Sequence, residues 1–431
     1  MALATTQSLV LTFEDARRIV QDQASHVTPG RKEVLDLLPA AGRVLAESIA
    51  ADRDMPPFPR STRDGYAVRG ADLAKLPVKL KVIGEIKAGP QAGQNRVALN
   101  RGETYSIMTG APVPLGADAV VMVEYSEPQG DFVEITKGAT PGENIVSQGA
   151  EARHGSLLIE TGAVLNESAI ALAASVGRSK LNVFARPRVA VLSTGDEIVA
   201  VDGEIGPTQI RNSNTYSLAV QIGRGGGEPV LLPIAPDEPG RLRQLIEEGL
   251  QSDLLIMTGG VSMGRYDLVE QVLTDLQAEF FFTGAKIQPG KPVVFGRVLS
   301  SAGASRTEPS PAASSKDRYT YFFGLPGNPI STMVTFELFA RPMLEALAGM
   351  RPRPLTFFHA RLKSEIRVKT GLTRFLPAIL SDQYEATQVE LVSWQGSGDI
   401  AARARSNCYI VVPADREQIA VGEWVAVMLS Q

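Results

Sequence analysis

The sequence of 431 residues is poor in cysteine and histidine and has no long apolar run. Its one cysteine, Cys408, excludes an intrachain disulfide and any cysteine-rich metal site. The three histidines, His26, His154 and His359, lie far apart and lack the spacing of metal ligands. No apolar run approaches the roughly 18 residues of a membrane span, and no signal peptide is predicted. We therefore expect no membrane partner, and the lone cysteine fits a reducing compartment, the cytoplasm.

An excess of positive charge is also missing. Lys and Arg number 43 against 47 Asp and Glu, so the net charge is −4, which predicts no nucleic-acid partner. The hydrophobic fraction of 44% and the charged fraction of 21% are ordinary globular values and exclude a disordered chain, a collagen or a coiled coil. The length predicts about three domains.

Prolines and short apolar runs divide the first part of the chain. Helical patterns cover residues 12–23, from about residue 37 to 50, and residues 166–176, with Thr12 and Asn166 predicted as the N-caps of the first and the last. Pro56, Pro57 and Pro59 cannot lie inside a helix and mark an extended crossing. Short strand patterns follow, at residues 78–83, 104–108, 119–124 and 132–135. We predict a discontinuous N-terminal domain (residues 1–50 and 151–186) that is interrupted by an inserted β domain (residues 51–150).

Strands and helices alternate from residue 187 to 350. Such alternation predicts an α/β domain with a doubly wound parallel sheet, whose ligands bind beyond the carboxyl ends of the strands. Strands are predicted at 189–192, 229–234, 253–257, 293–295 and 319–323, and helices at 214–223, 239–250, 266–276 and 330–347. Residues 300–317, rich in Ser, Ala and Pro, are expected to form a flexible insertion. Residues 351–431 are predicted to form a C-terminal β domain.

Two glycine-rich loops follow predicted strands of this domain. One contains Gly259, Gly260 and Ser262, and the other is the run from Pro326 to Pro329. Adjacent glycines and a following helix N-terminus allow backbone N–H groups to converge on an anion. Each loop alone is more often a tight turn between a strand and a helix. Because both lie at the same sheet edge, a phosphate site and a pair of turns are about equally expected.

Charged residues cluster at the same edge. Asp196, Glu197 and Asp267 follow strands, and carboxylates beside a phosphate suit Mg²⁺. The alternative is that they are solvated loop acids or helix caps, and Asp253 can simply begin a strand. Lys291 is a candidate anion-binding group or a solvated lysine.

Six short motifs follow one another along the chain in an order that resembles a known protein family. They begin at Asp64-Gly-Tyr-Ala and Thr109-Gly-Ala-Pro, which by themselves could be only turns, and continue with Ser193-Thr-Gly-Asp-Glu, Gly259-Gly-Val-Ser, Pro289-Gly-Lys-Pro and Pro326-Gly-Asn-Pro. Their order from about residue 8 to the C-terminus resembles the molybdopterin molybdenumtransferase family (MoeA type, which includes the E domain of gephyrin).

The resemblance implies an enzyme that inserts molybdate into adenylylated molybdopterin and releases AMP with the help of Mg²⁺. It implies a homodimer, supplied by an upstream molybdopterin adenylyltransferase, in which Asp64 and Thr109 reach the partner subunit's sheet edge. Metal binding is expected at Glu197 and Asp267. The remaining catalytic candidates are Asp64, Thr109, Asp253 and Lys291. Substrate binding is expected from Thr194, Gly195, Asn214, Gly259, Gly260, Ser262, Lys286, Pro326, Gly327, Asn328, Pro329 and Ser397.

The chain departs from the family pattern in several places. Gln288 precedes Pro-Gly-Lys-Pro, where a basic residue is common, and Lys286 is on the same strand face if the segment is extended. Arg265 stands where an acidic residue is often found. Glu151 stands where Asp is usual, in a segment that lacks the family's arginine. In the last domain both arginines of the usual Gly-Arg-x-Glu-Phe-x-Arg pattern are absent, and Arg374 stands in the position of the Glu.

Two other functions compete with this interpretation. A nucleotidyl transferase that adenylylates molybdopterin would use similar sheet chemistry, but the chain length and the Asp64 and Thr109 motifs oppose it. A molybdopterin-binding or scaffold protein with weak or no turnover is favoured by the lost arginines and opposed by the retained Glu197 and Asp267.

Overall fold

The computed structural model describes residues 9–89, 98–260, 268–299, 319–381, 383 and 386–429. The predicted insertion at 300–317, Arg265 and two predicted site residues, Ser262 and Asp267, lie outside these ranges. Within them, no helix combines the length and the apolar character that a bilayer crossing requires.

The first helix packs on the central domain. The chain begins with β1 (Val10–Leu11), α1 (Phe13–Ser25), β2 (Lys32–Asp36), α2 (Leu37–Ala40) and β3 (Ile49–Ala50). Thr12 caps α1 by accepting a 3.1 Å hydrogen bond from the Asp15 amide, as its residue type predicts. α1 buries Phe13 and Val20 in a hydrophobic cluster that also holds central-domain strands. The prediction assigned α1 to the N-terminal domain because it lies within residues 1–50. In the structure α1 packs with the central domain.

The predicted second helix is wrong beyond its first turn. It ends at Ala40, and Gly42 then takes a φ of +75°, where glycine has no Cβ penalty. The following amides bond to distant carbonyl groups instead of helical ones. The Leu45 amide donates to Ala163 at 2.9 Å and the Ala46 amide to Asn182 at 2.8 Å. Tertiary pairing thus replaces local helix formation in this segment.

The inserted β domain predicted from the sequence is confirmed as a six-stranded sheet. Its order is β8-β5-β7-β6-β10-β9, with β6 and β7 parallel and the other pairs antiparallel. The strands of this stretch are β4 (Arg60–Ser61), β5 (Gly65–Val68), β6 (Val78–Ile86), β7 (Glu103–Ile107), β8 (Ala119–Met122), β9 (Ser126–Gln129), β10 (Phe132–Ile135) and β11 (Ile145–Val146). Short 3₁₀ turns cover Gly70–Leu73 and Val123–Tyr125.

The chain then returns to its N-terminal strands. The returning elements are β12 (Leu157–Ile159), α3 (Glu167–Ser175) and β13 (Lys180–Phe184). β12 pairs with β3, and β13 pairs with β2, both antiparallel. Asn166 caps α3, as its residue type predicts, by accepting a 2.9 Å bond from Ala169.

The central domain has helices on both faces of a six-stranded sheet. Its elements are β14 (Arg188–Ser193), β15 (Ile198–Val199), β16 (Ile210–Arg211), α4 (Asn214–Arg224), β17 (Glu228–Leu231), α5 (Pro239–Gly249), β18 (Leu254–Thr258), α6 (Leu268–Asp275), β19 (Glu279–Phe282), β20 (Gly284–Ala285), β21 (Ile287–Gln288), β22 (Val294–Leu299), β23 (Tyr319–Leu325), α7 (Pro329–Thr335) and α8 (Arg341–Leu347). Successive residues of β14 enter opposite cores: Val189 packs with α4 and α7, and Ala190 packs with α5 and α6. This arrangement confirms the doubly wound fold.

The sheet is mixed rather than wholly parallel. In the order β17-β14-β18-β23-β22-β19, the first four strands are parallel. β22 pairs antiparallel with β23 on one side and with β19 on the other, so β22 alone runs in the opposite direction. A wholly parallel sheet was predicted. Parallel neighbours need a crossover connection, usually a helix, but the chain between β22 and β23 has no helical pattern in its sequence, so these two strands pair directly and antiparallel.

The long helix predicted at 330–347 is divided. A π-helical turn at Phe336–Ala340 separates α7 from α8. Pro342 has no N–H group with which to bond the Leu338 carbonyl four residues earlier. That carbonyl instead accepts a 2.8 Å bond from Nη1 of Arg17 on α1. The proline and the arginine together explain the interruption.

The C-terminal domain is a closed barrel. Its elements are β24 (Phe358–Leu362), β25 (Ile366–Arg367), β26 (Thr373–Leu380), β27 (Gln388–Leu391), α9 (Ile400–Arg405), β28 (Cys408–Val412), β29 (Gln418–Ile419) and β30 (Trp424–Leu429). The pairing runs β26-β27-β24-β30-β28 and returns to β26. β21 of the central domain adds to β26 in parallel, so the two domains share a strand pairing.

Candidate active site

Three parallel strands of the central sheet end side by side. Ser193 of β14 is in register with Thr258 of β18, and Thr258 is in register with Leu325 of β23. The loops that follow therefore leave the same sheet edge. The Thr194 amide donates to the Thr258 carbonyl at 3.0 Å, which joins the first loop to the second.

The two glycines after β18 allow their loop to lie against Thr194. Gly259 and Gly260 have φ values of +88° and +55°. A Cβ at Gly259 would lie 2.3 Å from the Thr194 carbonyl oxygen, and one at Gly260 would lie 2.6 Å from Thr194 Oγ1. Neither distance is sterically possible, so a side chain at either position would displace the loop or Thr194. Ser262, a few residues further on, lies outside the described residues.

Asn214 connects the loops. As the first residue of α4, it donates through Nδ2 to Thr258 Oγ1 at 3.0 Å and to the Gly327 carbonyl at 2.7 Å. Thr258 Oγ1 in turn donates to the Pro326 carbonyl at 3.1 Å. These bonds fix the side-chain amide, so the sequence-predicted residues Thr194, Asn214, Gly259 and Gly327 lie in one cluster.

Two buried polar atoms of this cluster lack partners. Among the described residues, Asn214 Oδ1 and Thr194 Oγ1 are inaccessible to solvent and make no hydrogen bond. Buried polar atoms are normally paired, because leaving one unpaired costs about 1–3 kcal/mol. Such exceptions at a sheet edge, where α/β proteins bind ligands, indicate groups that are kept for a ligand.

The N-terminus of α7 is partly closed by the C-terminal barrel. Asn328 precedes the helix, and Pro329 has no N–H group to offer. The Ile330 amide donates to the Ser397 carbonyl at 3.0 Å, and the Thr332 amide donates to Asn328 at 2.9 Å. The Thr332 bond is the first of the ordinary helical ladder, so among the N–H groups that a helix leaves free at its N-terminus, that of Ile330 is used and Pro329 has none. An anion at this loop would have to bind elsewhere than to Ile330.

Three carboxylates meet beyond β14 and β17. The Asp237 amide donates to Asp196 Oδ1 at 3.1 Å. A Cβ at Gly195, whose φ is +133°, would lie 2.4 Å from Glu197 Oε2, so glycine allows the Glu197 carboxylate to fold over the loop. Burial, followed by repulsion from Asp196 and from Glu197, raises the pKa of Asp237. Asp237 was not predicted, although it follows a strand in the same way as Asp196.

This acidic group has the chemistry that Mg²⁺ prefers but is not a preformed cage. In the part of the chain that the structure describes, no three His, Cys, Asp or Glu residues are arranged to hold a metal ion. Mg²⁺ usually takes one or two protein carboxylates and completes its shell with water and phosphate oxygens. Mutual repulsion among Asp196, Glu197 and Asp237 is relieved by a cation, so these residues fit one. Asp267, the other predicted ligand, lies outside the described residues.

Asp253 is placed at the wrong end of the sheet for catalysis. Its amide donates to the Arg188 carbonyl, and its Oδ2 accepts from the Arg188 amide, both at 2.8 Å. It precedes β18, whose five residues separate it from the glycine loop by roughly 16 Å at 3.3 Å per residue. The catalytic assignment of Asp253 is therefore corrected: the side chain caps the amino ends of two strands.

The inserted domain brings Asp64 and Thr109 together. The Thr109 amide donates to Asp64 Oδ1 at 2.6 Å, and this bond lowers the pKa of the exposed Asp64 carboxyl group. The two residues lie next to β5 and β7, in a different sheet from the loops described above. Within the described residues, no hydrogen bond or ion pair joins either side chain to the central domain of its own chain.

The remaining predicted residues lie at the junction of the central domain and the barrel. Lys286 and Lys291 are exposed. The Lys286 carbonyl accepts a 3.0 Å bond from the Thr373 amide, and the Lys291 carbonyl accepts one of 3.0 Å from Ala285. Ser397 meets the Pro326–Pro329 loop through the Ile330 bond. Apart from Asp253 and the Asp64–Thr109 pair, the described predicted residues thus form two groups, one at the sheet edge and one at this junction.

Comparison with protein families covers nearly the whole chain. Residues 11–177 match the model described as the MoeA N-terminal region (domain I and II). Residues 190–346 match the probable molybdopterin binding domain, and residues 359–430 match the MoeA C-terminal region (domain IV).

Similar proteins and structures agree with these matches. The molybdopterin molybdenumtransferase of Nostoc sp. is 34% identical over 406 residues, which cover 92% of this chain and 88% of the relative. The enzyme of the same name from Haemophilus influenzae is 31% identical, with 97% and 98% covered. A crystal structure of a molybdopterin biosynthesis MoeA protein from Pyrococcus horikoshii has a TM-score of 0.70 at 33% identity, covering 97% of this chain and 99% of that one. A second structure from that organism has a TM-score of 0.76 at 25% identity, with 98% and 100% covered.

Proposed function

Because the chain belongs to the molybdopterin molybdenumtransferase (MoeA) family, we propose that it is a transferase of molybdenum cofactor biosynthesis. Its reaction joins molybdate to the dithiolene of adenylylated molybdopterin and releases AMP. The observation that carries the proposal in this chain is the cluster at the sheet edge, where Asn214 Oδ1 and Thr194 Oγ1 are buried without partners.

The sheet edge supplies the groups for binding the phosphorylated substrate. Gly259 and Gly260 leave room for close approach to the backbone, and Thr194 Oγ1 can donate to a phosphate oxygen. Asn214 Oδ1 is an acceptor and therefore suits an N–H or O–H group of the substrate, since its Nδ2 is already committed to Thr258 and Gly327. The substrate is held with fixed polar groups, which orients its phosphoanhydride at the edge.

Mg²⁺ is the proposed metal. Glu197, with Asp196 and Asp237, would hold it, and Asp267 is the further ligand that the family resemblance implies. When bound, the ion supplies positive charge beside the phosphate that leaves with AMP. The three described carboxylates orient water and exclude other anions from this side of the site. Chelation by EDTA is expected to stop AMP release and added Mg²⁺ to restore it; unchanged release in EDTA would contradict the metal assignment.

A homodimer with shared sites is the proposed assembly. Asp64 and Thr109 lie in the inserted sheet, and their only described side-chain partner is each other. We therefore place this pair at the sheet edge of the partner subunit. A molybdopterin adenylyltransferase is the proposed source of the substrate, and the cytoplasm is the proposed compartment. No nucleic acid or membrane is required.

Turnover tests the function directly. Purified protein is mixed with adenylylated molybdopterin, molybdate and Mg²⁺, and AMP is measured by chromatography. AMP release that depends on molybdate is the expected result. If the protein binds the adenylylated substrate but releases no AMP with or without molybdate, a binding or scaffold function replaces the proposed reaction.

A further inference from the structure

The inserted β domain is attached to the rest of its chain through two segments. Residues 51–60 run outward to it and residues 147–156 return from it, and we call these two segments together the connection. The two hydrophobic clusters of the domain contain only its own residues. Among the described residues, no hydrogen bond or ion pair joins residues 61–146 to another domain of the chain. The connection therefore sets the orientation of the domain, and with it that of Asp64 and Thr109.

Prolines interrupt the backbone pairing of the connection. On the side of the N-terminal domain, the Met55 amide donates to the Ala152 carbonyl at 2.7 Å, and on the side of the inserted domain β4 pairs with β11. Between them, Pro57 and Pro59 have no N–H group to donate. Residues 57–59 and the whole returning segment are described, and no backbone hydrogen bond joins them. Across this interruption the two segments depend on side chains to hold them together.

Asp54 binds the returning segment just before the prolines. Its Oδ1 accepts from the His154 amide and its Oδ2 accepts from Nε2 of Gln148, both at 2.9 Å. The bond from His154, followed by that from Gln148, lowers the pKa of Asp54 and so favours the ionised form that accepts them. Between these two partners Gly149 turns the returning segment with a φ of +71°. One carboxylate thus holds both ends of this turn against the outgoing segment.

Arg60 and Glu151 form an ion pair across the interruption. Arg60 lies in β4, beyond the prolines, and its Nη2 donates to Glu151 Oε1 at 2.8 Å. The Glu151 amide donates to the Met55 carbonyl at 2.8 Å, before the prolines. The ion pair therefore spans the stretch that lacks backbone bonds. Glu151 is also a departure from the family pattern, in which the usual Asp is one methylene shorter.

We propose that Asp54, Arg60 and Glu151 are positioning residues: they fix the connection, so that the inserted domain holds Asp64 and Thr109 in one orientation toward the reacting groups. This rests on the proposed function, in which that pair meets the sheet edge of the partner subunit. The three residues act through the pair. A rotation of the domain at the prolines would displace it, and a displacement of about 1 Å in a catalytic group can cost about 100-fold in rate.

Hydrogen exchange of the full-length protein measures how firmly the connection is held. It is followed by mass spectrometry in peptides that cover residues 51–60 and 147–156. Asp54→Ala removes two hydrogen bonds to a carboxylate and should speed exchange there about five- to tenfold. Arg60→Met removes an exposed ion pair and should speed it about two- to fivefold. Unchanged exchange in both variants would overturn the proposal.

Each variant has a matched control. Asp52→Ala removes a carboxylate from the same outgoing segment, but among the described residues this carboxylate pairs with its neighbour Arg53 and does not cross the connection. Arg416→Met removes an ion pair of similar length and exposure from the C-terminal barrel, where Arg416 bonds to Glu423 at 2.7 Å. Exchange in the connection should stay at the wild-type rate in both controls. Acceleration as large as in the test variants would overturn the assignment to these contacts.

AMP release distinguishes positioning from stability. The combined variant Asp54→Ala/Arg60→Met should release AMP at least about tenfold more slowly per folded molecule. Its KM for the adenylylated substrate should stay within about twofold, because the groups proposed to bind that substrate lie at the central sheet edge. If the residues only stabilise the connection, exchange becomes faster but AMP release per folded molecule stays at the wild-type rate. That result overturns the proposal.

A charge exchange tests the ion pair without removing it. Arg60→Glu and Glu151→Arg each oppose two like charges and should slow AMP release at least about threefold. Arg60→Glu/Glu151→Arg restores the attraction and should recover at least about half of the wild-type rate. If Glu151 itself acts on the reacting atoms, the exchanged pair stays as slow as Glu151→Arg, and the positioning role is overturned.

Failure of this proposal and failure of the proposed reaction give different results, because hydrogen exchange is measured without substrate. If wild-type protein releases AMP and the variants exchange and react like it, only the positioning role fails. If the variants exchange faster than their controls while wild-type protein releases no AMP, the proposed reaction fails, and the three residues fix the domain without it.

Discussion

The two ends of the same parallel strands differ in how their polar groups are used. At the amino ends, Asp253 and Arg188 exchange hydrogen bonds of 2.8 Å through backbone and carboxylate. At the carboxyl ends, Asn214 Oδ1 and Thr194 Oγ1 are buried without partners, and Asp237 is crowded by other carboxylates. One end satisfies its groups internally, and the other leaves two polar atoms without a partner among the described residues, which we propose serve the ligand. The comparison predicts opposite effects of mutation at the two ends.

The largest effect is expected for Glu197→Gln at the carboxyl end. The substitution keeps the shape but removes the charge proposed to hold Mg²⁺, so AMP release should fall at least about 100-fold. Binding of the adenylylated substrate should change little. The control is Glu248→Gln, which removes an exposed carboxylate from α5. Near-normal AMP release by Glu197→Gln would remove this residue from the reaction.

Mixed dimers extend the comparison across the proposed subunit interface. Asp64→Ala and Glu197→Ala homodimers should each be nearly inactive. In a mixed dimer one site is wild type and the other carries both changes, so about half of the activity of a wild-type dimer should return. Subunit exchange is first shown by pull-down with two different tags. With exchange established, the absence of recovery would place Asp64 in the site of its own chain or make it a turn residue.

Gly260→Ala tests whether the loop geometry matters. The new Cβ would meet Thr194 Oγ1 at 2.6 Å with φ at +55°, so either the loop or the Thr194 side chain must move. We expect about a tenfold loss of AMP release and about 1–3 kcal/mol of local strain. Gly240→Ala, at a position with no atom within 4 Å of the added Cβ, is the control. Equal activity of both variants would show that the close approach to Thr194 is dispensable.

Asp253→Ala, at the amino end, should affect stability rather than catalysis. Loss of its bond to the Arg188 amide is expected to lower the free energy of unfolding of the central domain by about 1–3 kcal/mol. AMP release per folded molecule should be unchanged. Urea denaturation followed by a turnover assay on the folded fraction measures both quantities. A large loss of turnover would contradict the division between the two ends.

Asp237→Asn should have the smallest effect on stability, and of opposite sign. The raised pKa of Asp237 means that its ionised form destabilises the folded state above that pKa. Removing the charge should raise stability at pH 7 by less than about 1 kcal/mol, because the carboxyl group is only slightly buried and water screens its charge. The gain should disappear as the pH falls below about 4, where the wild-type carboxyl is protonated also in the unfolded chain. A gain that is independent of pH would not come from charge repulsion.

Local patterns predicted the helix caps and the domain types well. Thr12 and Asn166 were identifiable because a cap depends on residues three positions away. The alternation of strands and helices predicted the doubly wound sheet, and the glycine positions predicted loops at its edge. The motif order indicated the family. Each of these features depends on residues that are close together in the sequence.

Features that depend on distant partners were predicted less well. The segment after Ala40 lost its helix to pairing with Ala163 and Asn182, more than a hundred residues away. The π-helical turn required both Pro342 and Arg17. Asp253 was counted among the catalytic candidates although the sequence already allowed it to begin a strand, and only the structure showed that its carboxylate accepts a bond from the Arg188 amide. Asp237 was missed because only the fold brings it to Asp196.

The sequence by itself determined the fold class, the family and the set of strand-end loops, because periodicity, glycine and proline act over a few residues. Only the tertiary structure decided which buried polar atoms have hydrogen-bond partners and which do not. Gln288 and Arg374 show the reason: as sequence differences they are two separate losses, but strand pairing across 86 residues brings them into contact at 2.9 Å. The energetic effect of a charged group depends on the groups around it, and the fold determines which groups those are.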